Sequence, residues 1–202
     1  MAHDDTPIRP AATVLLVRDG ADGLEVLMQR RAATMVFASG TYVFPGGRVD
    51  PEDGEGPAGY VAAAVRECRE EADLVVDAAD LVWIAHWITP RGEPRRFDTR
   101  FFLAAAPHGQ EAVHDGNEAV DTVWAQPARA LEQWKAKEWA MLPPTLWCLG
   151  ELSRYSTVAD ALTWAHSIGT PPEVRVRAKR TPEGKVIGFS LPTDPDYDDW
   201  DD

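Results

Sequence analysis

Apolar and polar positions in the first third of the chain predict a β-hairpin, a turn and an amphipathic helix. Two strand-like runs, Ala12–Arg18 and Leu24–Arg30, are separated by Asp and Gly residues of the kind that form tight turns. A short apolar stretch at residues 42–44 then leads into a Pro-Gly-Gly turn. From Gly59 to about Asp73, apolar side chains recur every three or four residues, which indicates a helix with one buried face.

The rest of the chain predicts further strands and helices in alternation. The predicted strands are Leu81–Thr89, Phe97–Ala105 and Asp121–Gln126, and a second hairpin joins Glu173–Arg180 to Val186–Ser190. The predicted helices cover Pro127–Trp139, Pro143 to about Tyr155, and a segment capped by Thr157. Strands interleaved with helices and hairpins indicate an α/β (α+β) fold, in which a mixed β-sheet is sandwiched between helices.

Three carboxylates share one face of the first predicted helix. Glu67, Glu70 and Glu71 are spaced i, i+3 and i+4, so they are neighbours on a helix surface. This face points away from the predicted buried stripe, which consists of Val61, Val65, Cys68 and Ala72. Two interpretations fit the spacing: a solvated acidic face, or a site for a hard cation such as Mg²⁺ or Mn²⁺, which prefers carboxylate oxygens.

The charge of the chain bears on this choice and on its partners. The 202 residues include 33 acidic and 20 basic side chains, for a net charge of −13. Such a chain repels the phosphates of nucleic acid polymers and anionic membranes, so we expect neither as a partner. Residues 50–73 alone hold eight acids and two arginines, and a bound cation would be a natural counterpart to that local excess.

Other composition features favour a soluble, cytoplasmic protein. Two cysteines, Cys68 and Cys148, are too few for a disulfide framework or a four-sulfur zinc site. The N-terminus lacks the basic and apolar regions of a signal peptide, and no apolar run approaches the ~18 residues of a membrane span.

The surroundings of the carboxylates favour the metal site. A Phe-Pro-Gly-Gly turn precedes the helix, and its missing side chains let the backbone approach a ligand closely. The string Gly46-Gly47…Ala63-Ala64-Val65-Arg66-Glu67-x-x-Glu70-Glu71 resembles the signature of the Nudix hydrolases. Those enzymes cleave a diphosphate linked to another moiety, with a divalent metal held on a loop–helix–loop. The resemblance therefore implies a Nudix-like fold and a diphosphatase activity.

The same resemblance implies roles for individual residues. Glu67, Glu70 and Glu71 would be the metal ligands, and Arg66 would orient Glu67 or another helix carboxylate through a charge-assisted hydrogen bond. For Arg66 the alternative is a surface salt bridge of little energetic value. Gly46 and Gly47 would contact the substrate.

A general base is needed to activate the attacking water. Many Nudix enzymes carry an added acidic ligand or base in the region of Glu118, so Glu118 is the first candidate and a plain loop acid is the alternative. Asp53 is a second candidate.

The signature departs from the usual pattern in two places. Counted from Gly47, Arg66 arrives five residues later than usual, with the extra length in Pro51–Ala58. Three acids compete to replace the usual glutamate before the helix: Glu52, Asp53 and Glu55. The usual glycine at the end of the motif is Asp73, which we expect to be tolerated because Asp enters the left-handed region better than most residues.

A longer resemblance points to the Nudix branch that includes peroxisomal coenzyme A diphosphatases. It rests on Gly40 and the Phe-Pro-Gly-Gly turn, on Trp87–Pro90 and Pro94–Phe102, and covers about residues 11–155. The coenzyme A pattern expects an arginine where Val36 stands, and Arg30 or Arg31 could substitute for it. Arg95 and Arg96 are candidates to grip substrate phosphates, with a solvated strand end as the alternative.

The resemblance implies a hydrolase acting on a nucleoside-diphosphate-linked small molecule, coenzyme A or acyl-coenzyme A. One alternative is a housecleaning hydrolase of nucleotide sugars, dinucleoside polyphosphates or oxidised nucleotides. Another is a non-catalytic, nucleotide-binding regulatory domain, which would be expected to lose the helix carboxylates that this chain retains. Many relatives are dimers, so a homodimer is expected here.

Four segments are predicted along the chain. Residues 1–10 form a loose arm, 11–155 the Nudix domain, and 156–193 a helix and hairpin packed on that domain. Residues 194–202 contain six Asp and no Lys or Arg, and are predicted to be a disordered acidic tail. The hairpin carries a basic patch of Arg175, Arg177 and Lys179, which could contact the substrate, the tail or a second subunit.

Overall fold

The structure is a computed structural model that describes residues 6–32, 39–114 and 116–200. Its four helices are α1 (Gly56–Ala72), α2 (Pro127–Lys135), α3 (Pro143–Leu152) and α4 (Val158–Ile168). Its strands are β1 (Ile8–Gly20), β2 (Gly23–Arg31), β3 (Tyr42–Val43), β4 (Gly46–Arg48), β5 (Val82–Ile88), β6 (Arg96–Ala105), β7 (Ala119–Ala125), β8 (Glu173–Arg175), β9 (Arg177–Arg180) and β10 (Val186–Ser190). The predicted fold class, a mixed sheet with helices, is confirmed.

The long strand β1 organises the main sheet. The strand order is β3-β2-β1-β6-β5-β8, with β4 also paired to β1 and β7 to β2. One edge of β1 runs parallel to β6 from Ile8 to Val17. Its other edge is shared, because β4 pairs with residues 11–13 and β2 pairs with residues 17–20. This division of one edge brings the Gly-Gly segment of β4 beside β2, where the candidate site forms.

Helices cover both faces of the sheet. Side chains alternate across β1, so that Leu15 and Val17 lie in the core with α2, α3 and α4, whereas Val14 and Leu16 lie in the core with α1. The α1 side is built largely from small residues that are completely buried, namely Ala63, Ala64, Cys68 and Ala72. Small side chains let α1 lie close to the sheet, so its carboxylates can reach the backbone of β4.

The structure corrects the predicted faces of α1. The helix begins at Gly56 rather than Gly59, and its buried face includes Glu71. Val61 and Val65, expected in the core, are only partly buried. The helix is therefore rotated relative to the predicted apolar stripe, because the alanines pack more closely than valines and Glu71 must reach β4. At its end Asp73 adopts the left-handed conformation, with φ 54°, and caps the last carbonyls.

The termini also differ from expectation. The prediction of a loose arm over residues 1–10 is wrong from Ile8 onward, where β1 begins, and residues 1–5 lie outside the described residues. The predicted second hairpin is divided: β8 joins the main sheet parallel to β5, and only β9 pairs with β10. Helices α2 and α3 are shorter than predicted. No helix in the described ranges is long and apolar enough to cross a membrane.

Residues 194–200, expected to be a disordered tail, fold onto the β9–β10 hairpin. Asp196 accepts hydrogen bonds from Lys179 Nζ, Ser190 Oγ and Trp200 Nε1. The Arg177 guanidinium lies 3.9 Å from the centroid of the Tyr197 ring. The tail sequence predicts disorder from its charge alone, but the basic side chains of β9 supply the complementary charge. The tail is thus one of the predicted contacts of the basic patch. Residues 201–202 lie outside the described residues.

Candidate active site

The Gly46-Gly47 backbone lies directly against two carboxylates of α1. The Gly46 N–H donates a 2.8 Å hydrogen bond to Glu71 Oε2. A Cβ atom on Gly47 would overlap the carboxylate of Glu67. A side chain at position 47 would therefore have to displace the Glu67 carboxylate, which packs directly against the turn.

Glu71 is the most buried carboxylate of the group. It is 6% exposed, and its main-chain carbonyl accepts a 2.6 Å hydrogen bond from Gln29 Nε2 on β2. Burial raises the pKa of Glu71 to about 8, the hydrogen bond from Gly46 opposes that shift, and the charge of Glu67 adds to it. A carboxylate in this position gains from a nearby cation.

Arg66 is the centre of an ion-pair network that spans the loop and the helix. Its Nε and Nη2 donate to the two oxygens of Asp53, at 3.1 and 2.9 Å. Its Nη1 donates to Glu67 Oε1 at 2.8 Å and to Glu70 Oε2 at 2.9 Å. Nη2 also donates to the carbonyl of Arg48 at 2.9 Å. The guanidinium thus donates to two of the three helix carboxylates.

Asp53 is the acid of the lengthened loop that faces this network. Its side chain is 6% exposed, whereas Glu52 and Glu55 are exposed to solvent. The hydrogen bonds from Arg66 hold the pKa of Asp53 below its usual value. A carboxylate fixed in a bidentate pair is a poor proton acceptor, so the geometry gives Asp53 a positioning role and disfavours it as the base.

Glu67 and Glu118 complete the acidic cluster. The Glu67 side chain is 12% exposed, and its pKa is raised by burial, opposed by Arg66, and raised further by the charges of Glu70 and Glu118. Glu118 is 53% exposed, and Arg31 Nη2 lies 3.5 Å from its Oε2. The structure therefore brings Glu118 to the mouth of the cluster, from a loop 47 positions beyond Glu71 in the sequence.

The donor set fits a hard divalent cation. Glu67, Glu70 and Glu71 offer carboxylate oxygens. Burial, and to a smaller extent the charges of neighbouring carboxylates, raises the pKa values of Glu67 and Glu71, and a bound cation would oppose both effects. In residues 6–32, 39–114 and 116–200, no three acidic, His or Cys side chains are arranged as a closed metal cluster. In this arrangement Arg66 binds one oxygen of Glu67 and one of Glu70.

Two candidate substrate residues lie away from the cluster. Arg96 is 5% exposed and its Nε donates to the Thr89 carbonyl, while Arg95 is exposed. Arg96 lies opposite Ile8, whereas Gly47 pairs with Ala12, four residues further along β1. This separation is about 13 Å along the strand. Val36, the position of the missing arginine, lies outside the described residues.

Two residues of β2 also lie at the site: Arg31, named from the sequence only as a possible substitute for the arginine missing at position 36, and Gln29, which the sequence analysis did not assign. Arg31 has a largely buried side chain whose Nε has no hydrogen-bond partner in the described part of the chain, and it lies beside Glu118. Gln29 holds the end of α1 through the Glu71 carbonyl. The signal for Gln29 was a lone amide within an apolar strand, which in a buried position must find partners.

Comparisons with known proteins agree with this geometry. A family model described as NUDIX domain matches residues 7–144. The putative Nudix hydrolase 7 of Caenorhabditis elegans is 29% identical over 187 residues, or 75% of this chain and 62% of the worm protein. Human acyl-coenzyme A diphosphatase NUDT19 is 32% identical over 91 residues, 42% of this chain and 24% of the human protein. The chain thus spans less than two thirds of either relative.

A solved structure extends the similarity to the fold. The crystal structure of a NUDIX hydrolase from Alicyclobacillus acidocaldarius has a TM-score of 0.72 and 28% sequence identity, and the match covers 79% of this chain and 97% of that one. The family model, moreover, matches well over half of the chain, including the Gly-Gly turn and the carboxylates of α1. This protein is a member of the Nudix family.

Proposed function

We propose that this chain is a metal-dependent hydrolase that cleaves the diphosphate of a nucleoside-diphosphate-linked small molecule, namely coenzyme A or acyl-coenzyme A. The observation that carries the proposal is the placement of Glu71 and Glu67 against the Gly46-Gly47 backbone, with Arg66 bonded to both Glu67 and Glu70. We also propose that it acts in the cytoplasm and as a homodimer.

The residues around the cluster have distinct tasks in this reaction. Glu67, Glu70 and Glu71 would hold Mg²⁺ or Mn²⁺, which neutralises phosphate oxygens and lowers the pKa of bound water. Arg66, held in turn by Asp53, keeps Glu67 and Glu70 in place. The water oxygen forms a bond to one phosphorus as the bridging P–O bond breaks.

Glu118 is suited to accept the proton from that water. Its carboxylate is half exposed at the mouth of the cluster, within reach of solvent and close enough to Glu67 and Glu71 to affect their charges. Arg31 lies beside it, and we propose that its guanidinium, whose Nε has no partner in the described residues, binds a phosphate oxygen when the substrate enters.

Coenzyme A as the substrate is supported by two further points. Arg31, one of the two arginines that could substitute at position 36, lies at the cluster rather than on the protein surface. Relatives from human and chicken carry the name acyl-coenzyme A diphosphatase. Arg95 and Arg96 are weaker candidates for phosphate contacts, because neither lies at the cluster.

The decisive test of the metal site is Glu70→Gln. We expect it to abolish most metal-dependent turnover while the fold is retained, because an amide is a much poorer ligand for Mg²⁺. Glu52→Gln, in the exposed part of the loop, is the matched control and keeps the wild-type rate. EDTA should stop the reaction of the wild type and of Glu52→Gln. An unchanged rate in Glu70→Gln would refute the metal assignment.

A substrate panel tests the second part of the proposal. Coenzyme A and acyl-coenzyme A should yield 3′,5′-adenosine bisphosphate and a phosphopantetheine product with Mg²⁺ or Mn²⁺, identified by mass spectrometry. Nucleotide sugars, dinucleoside polyphosphates and oxidised nucleotides form the comparison set. If millimolar coenzyme A gives no product while a member of that set is cleaved, the chain is a hydrolase with a different substrate.

A further inference from the structure

Two buried hydrogen-bonding groups on neighbouring strands have no partner in the described part of the chain. They are the Nε–H of Arg31 on β2 and the hydroxyl of Thr122 on β7. An unpaired polar group inside a protein costs stability, so such groups are rare and their positions call for a physical reason. The role proposed above for Arg31 does not account for Thr122.

The pairing of β2 with β7 places the two groups on one face of the sheet. Thr122 lies directly opposite Gln29 in this antiparallel pair. Side chains alternate along both strands, and Leu27 and Trp124, two residues away from this pair, pack on the α1 side. Gln29 and Thr122 therefore also face α1. Arg31 follows Gln29 by two residues, so it is a near neighbour of Thr122 on the same face.

This face of the sheet lies against the part of α1 that carries the proposed metal ligands. Gln29, the cross-strand partner of Thr122, donates a 2.6 Å hydrogen bond to the main-chain carbonyl of Glu71. Burial raises the pKa of Glu71 to about 8, and the charge of Arg31 is among the effects that oppose this shift. Both unpaired donors thus belong to strands that border the carboxylate cluster.

The two groups together have the chemistry of a site for an anionic oxygen. The Nε–H of an arginine can only donate, and the hydroxyl of a threonine can donate in the direction of a ligand. The charge of Arg31 disfavours a cation at this place, and an apolar group would leave both donors unpaired. A phosphoryl group has several acceptor oxygens that point in different directions, so it can accept from both donors at once.

We propose that Thr122 is a substrate-binding residue, whose hydroxyl donates together with the Nε of Arg31 to one phosphoryl group of the diphosphate. The inference rests on the proposed function, and it adds a binding residue that lies outside the sequence signature. Glu118 covers Arg31 through a 3.5 Å contact, and its side chain is 53% exposed. Exposed ion pairs of this kind contribute little stability, so Glu118 can turn aside as the phosphoryl group enters.

The proposal predicts opposite effects of one substitution on stability and on binding. Thr122→Val replaces the hydroxyl by a methyl group of similar size, and so removes an unpaired polar group from the interior. We therefore expect the melting temperature of the free protein to stay the same or to rise. The same change removes a hydrogen bond to a charged group from the complex, so the affinity for a phosphoryl ligand should fall about tenfold.

Calorimetric titration with inorganic diphosphate in the presence of Mg²⁺ measures this affinity without requiring turnover. Thr122→Ser retains the hydroxyl and should bind about as tightly as the wild type. Thr163→Val is the matched control, because the Thr163 hydroxyl is exposed on α4 and donates to the carbonyl of Ala159. Arg31→Lys keeps the charge but loses the Nε–H, and should also bind more weakly. The double variant should lose less affinity than the product of the two single losses, because both donors serve one group.

The possible results separate this inference from the proposed function. Equal affinity of Thr122→Val and the wild type would overturn the inference, as would a wild type that does not bind diphosphate. A lower melting temperature of Thr122→Val with unchanged affinity would show that the hydroxyl binds an ordered water only. Weaker binding by both Thr122→Val and Thr122→Ser, with lower melting temperatures for both, would show a packing role instead. Binding that depends on the hydroxyl, in a protein that cleaves no member of the substrate panel, would support this inference and overturn the proposed function.

Discussion

Replacing Glu71 by Gln should stabilise the metal-free protein at neutral and alkaline pH. Glu71 is 6% exposed, and burial raises its pKa from 4.5 to about 8. Between these values the folded protein retains a proton on Glu71 that the unfolded chain has released. The folded state therefore binds more protons in this window, and the free energy of unfolding falls as the pH rises. Below pH 4.5 the stability contributed by this proton is fully present. As the pH rises to about 8 that stability is lost, and above pH 8 the loss is complete.

The size of the effect follows from the shift. One pKa unit corresponds to about 1.4 kcal/mol, so a shift of about 3.5 units amounts to roughly 5 kcal/mol across the window if the surroundings of Glu71 stay unchanged. Such a loss is comparable to the total stability of many domains. In Glu71→Gln the amide oxygen still accepts the hydrogen bond from Gly46, but no charge develops, so this dependence on pH disappears.

Urea unfolding followed by tryptophan fluorescence measures the difference. The wild type, Glu71→Gln and Glu70→Gln are unfolded in EDTA between pH 5 and pH 9. Glu70→Gln is the matched control, because its side chain is 57% exposed and the same charge is removed. We expect the control to follow the wild type, and Glu71→Gln to gain several kcal/mol on both toward pH 8. Parallel curves for all three proteins would show that the Glu71 carboxylate is not held in a desolvated position, and would refute the reasoning. Added Mg²⁺ should recover the lost stability in the wild type only.

Three further predictions concern the network and the tail. Gly47→Ala should displace the Glu67 carboxylate and lower turnover at least tenfold with little change in melting temperature; a wild-type rate would show that Glu67 can move without loss of function. Arg66→Lys should also lower turnover at least tenfold and reduce the free energy of unfolding in urea by about 1–3 kcal/mol, because an ammonium group cannot replace the bidentate pair with Asp53. The control Arg69→Lys, at an exposed position, should change neither turnover nor the free energy of unfolding. A chain ending at Thr193 should keep its turnover but melt at a lower temperature, because the contacts of Asp196 and Tyr197 with the hairpin are lost. A large loss of activity would show that the tail contributes to the active site.

Local patterns predicted those features that depend on neighbouring residues. The β1–β2 hairpin follows from an Asp- and Gly-rich turn between two apolar runs, and α1 follows from its periodicity. The shared face of Glu67, Glu70 and Glu71 is a direct consequence of helical spacing. The Arg66–Glu67 contact is equally local, because the two residues are adjacent in sequence.

Features that depend on distant partners could not be predicted in the same way. The choice of Asp53 over Glu52 and Glu55 requires knowing where Arg66 points. The rotation of α1 depends on how closely its alanines approach the sheet, and the apolar stripe through Val61 and Val65 gave no indication of it. The tail was expected to be disordered because its composition was considered without the basic side chains of β9, to which Asp196 binds.

The ion pair between Asp53 and Arg66 has a consequence for how this loop tolerates insertions. Arg66 pairs with one carboxylate of the loop, that of Asp53, which lies in a short 3₁₀ turn over Pro51–Asp53. The chain from Gly54 to Gly56 connects this anchor to α1 through two glycines with positive φ, 87° and 65°, a conformation that favours glycine at both positions. The five additional residues between Gly47 and Arg66 fall within Pro51–Ala58, which contains this anchor and the first turn of α1. The lengthened loop thus supplies its own carboxylate to Arg66, so the extra length is tied to the cluster through Asp53.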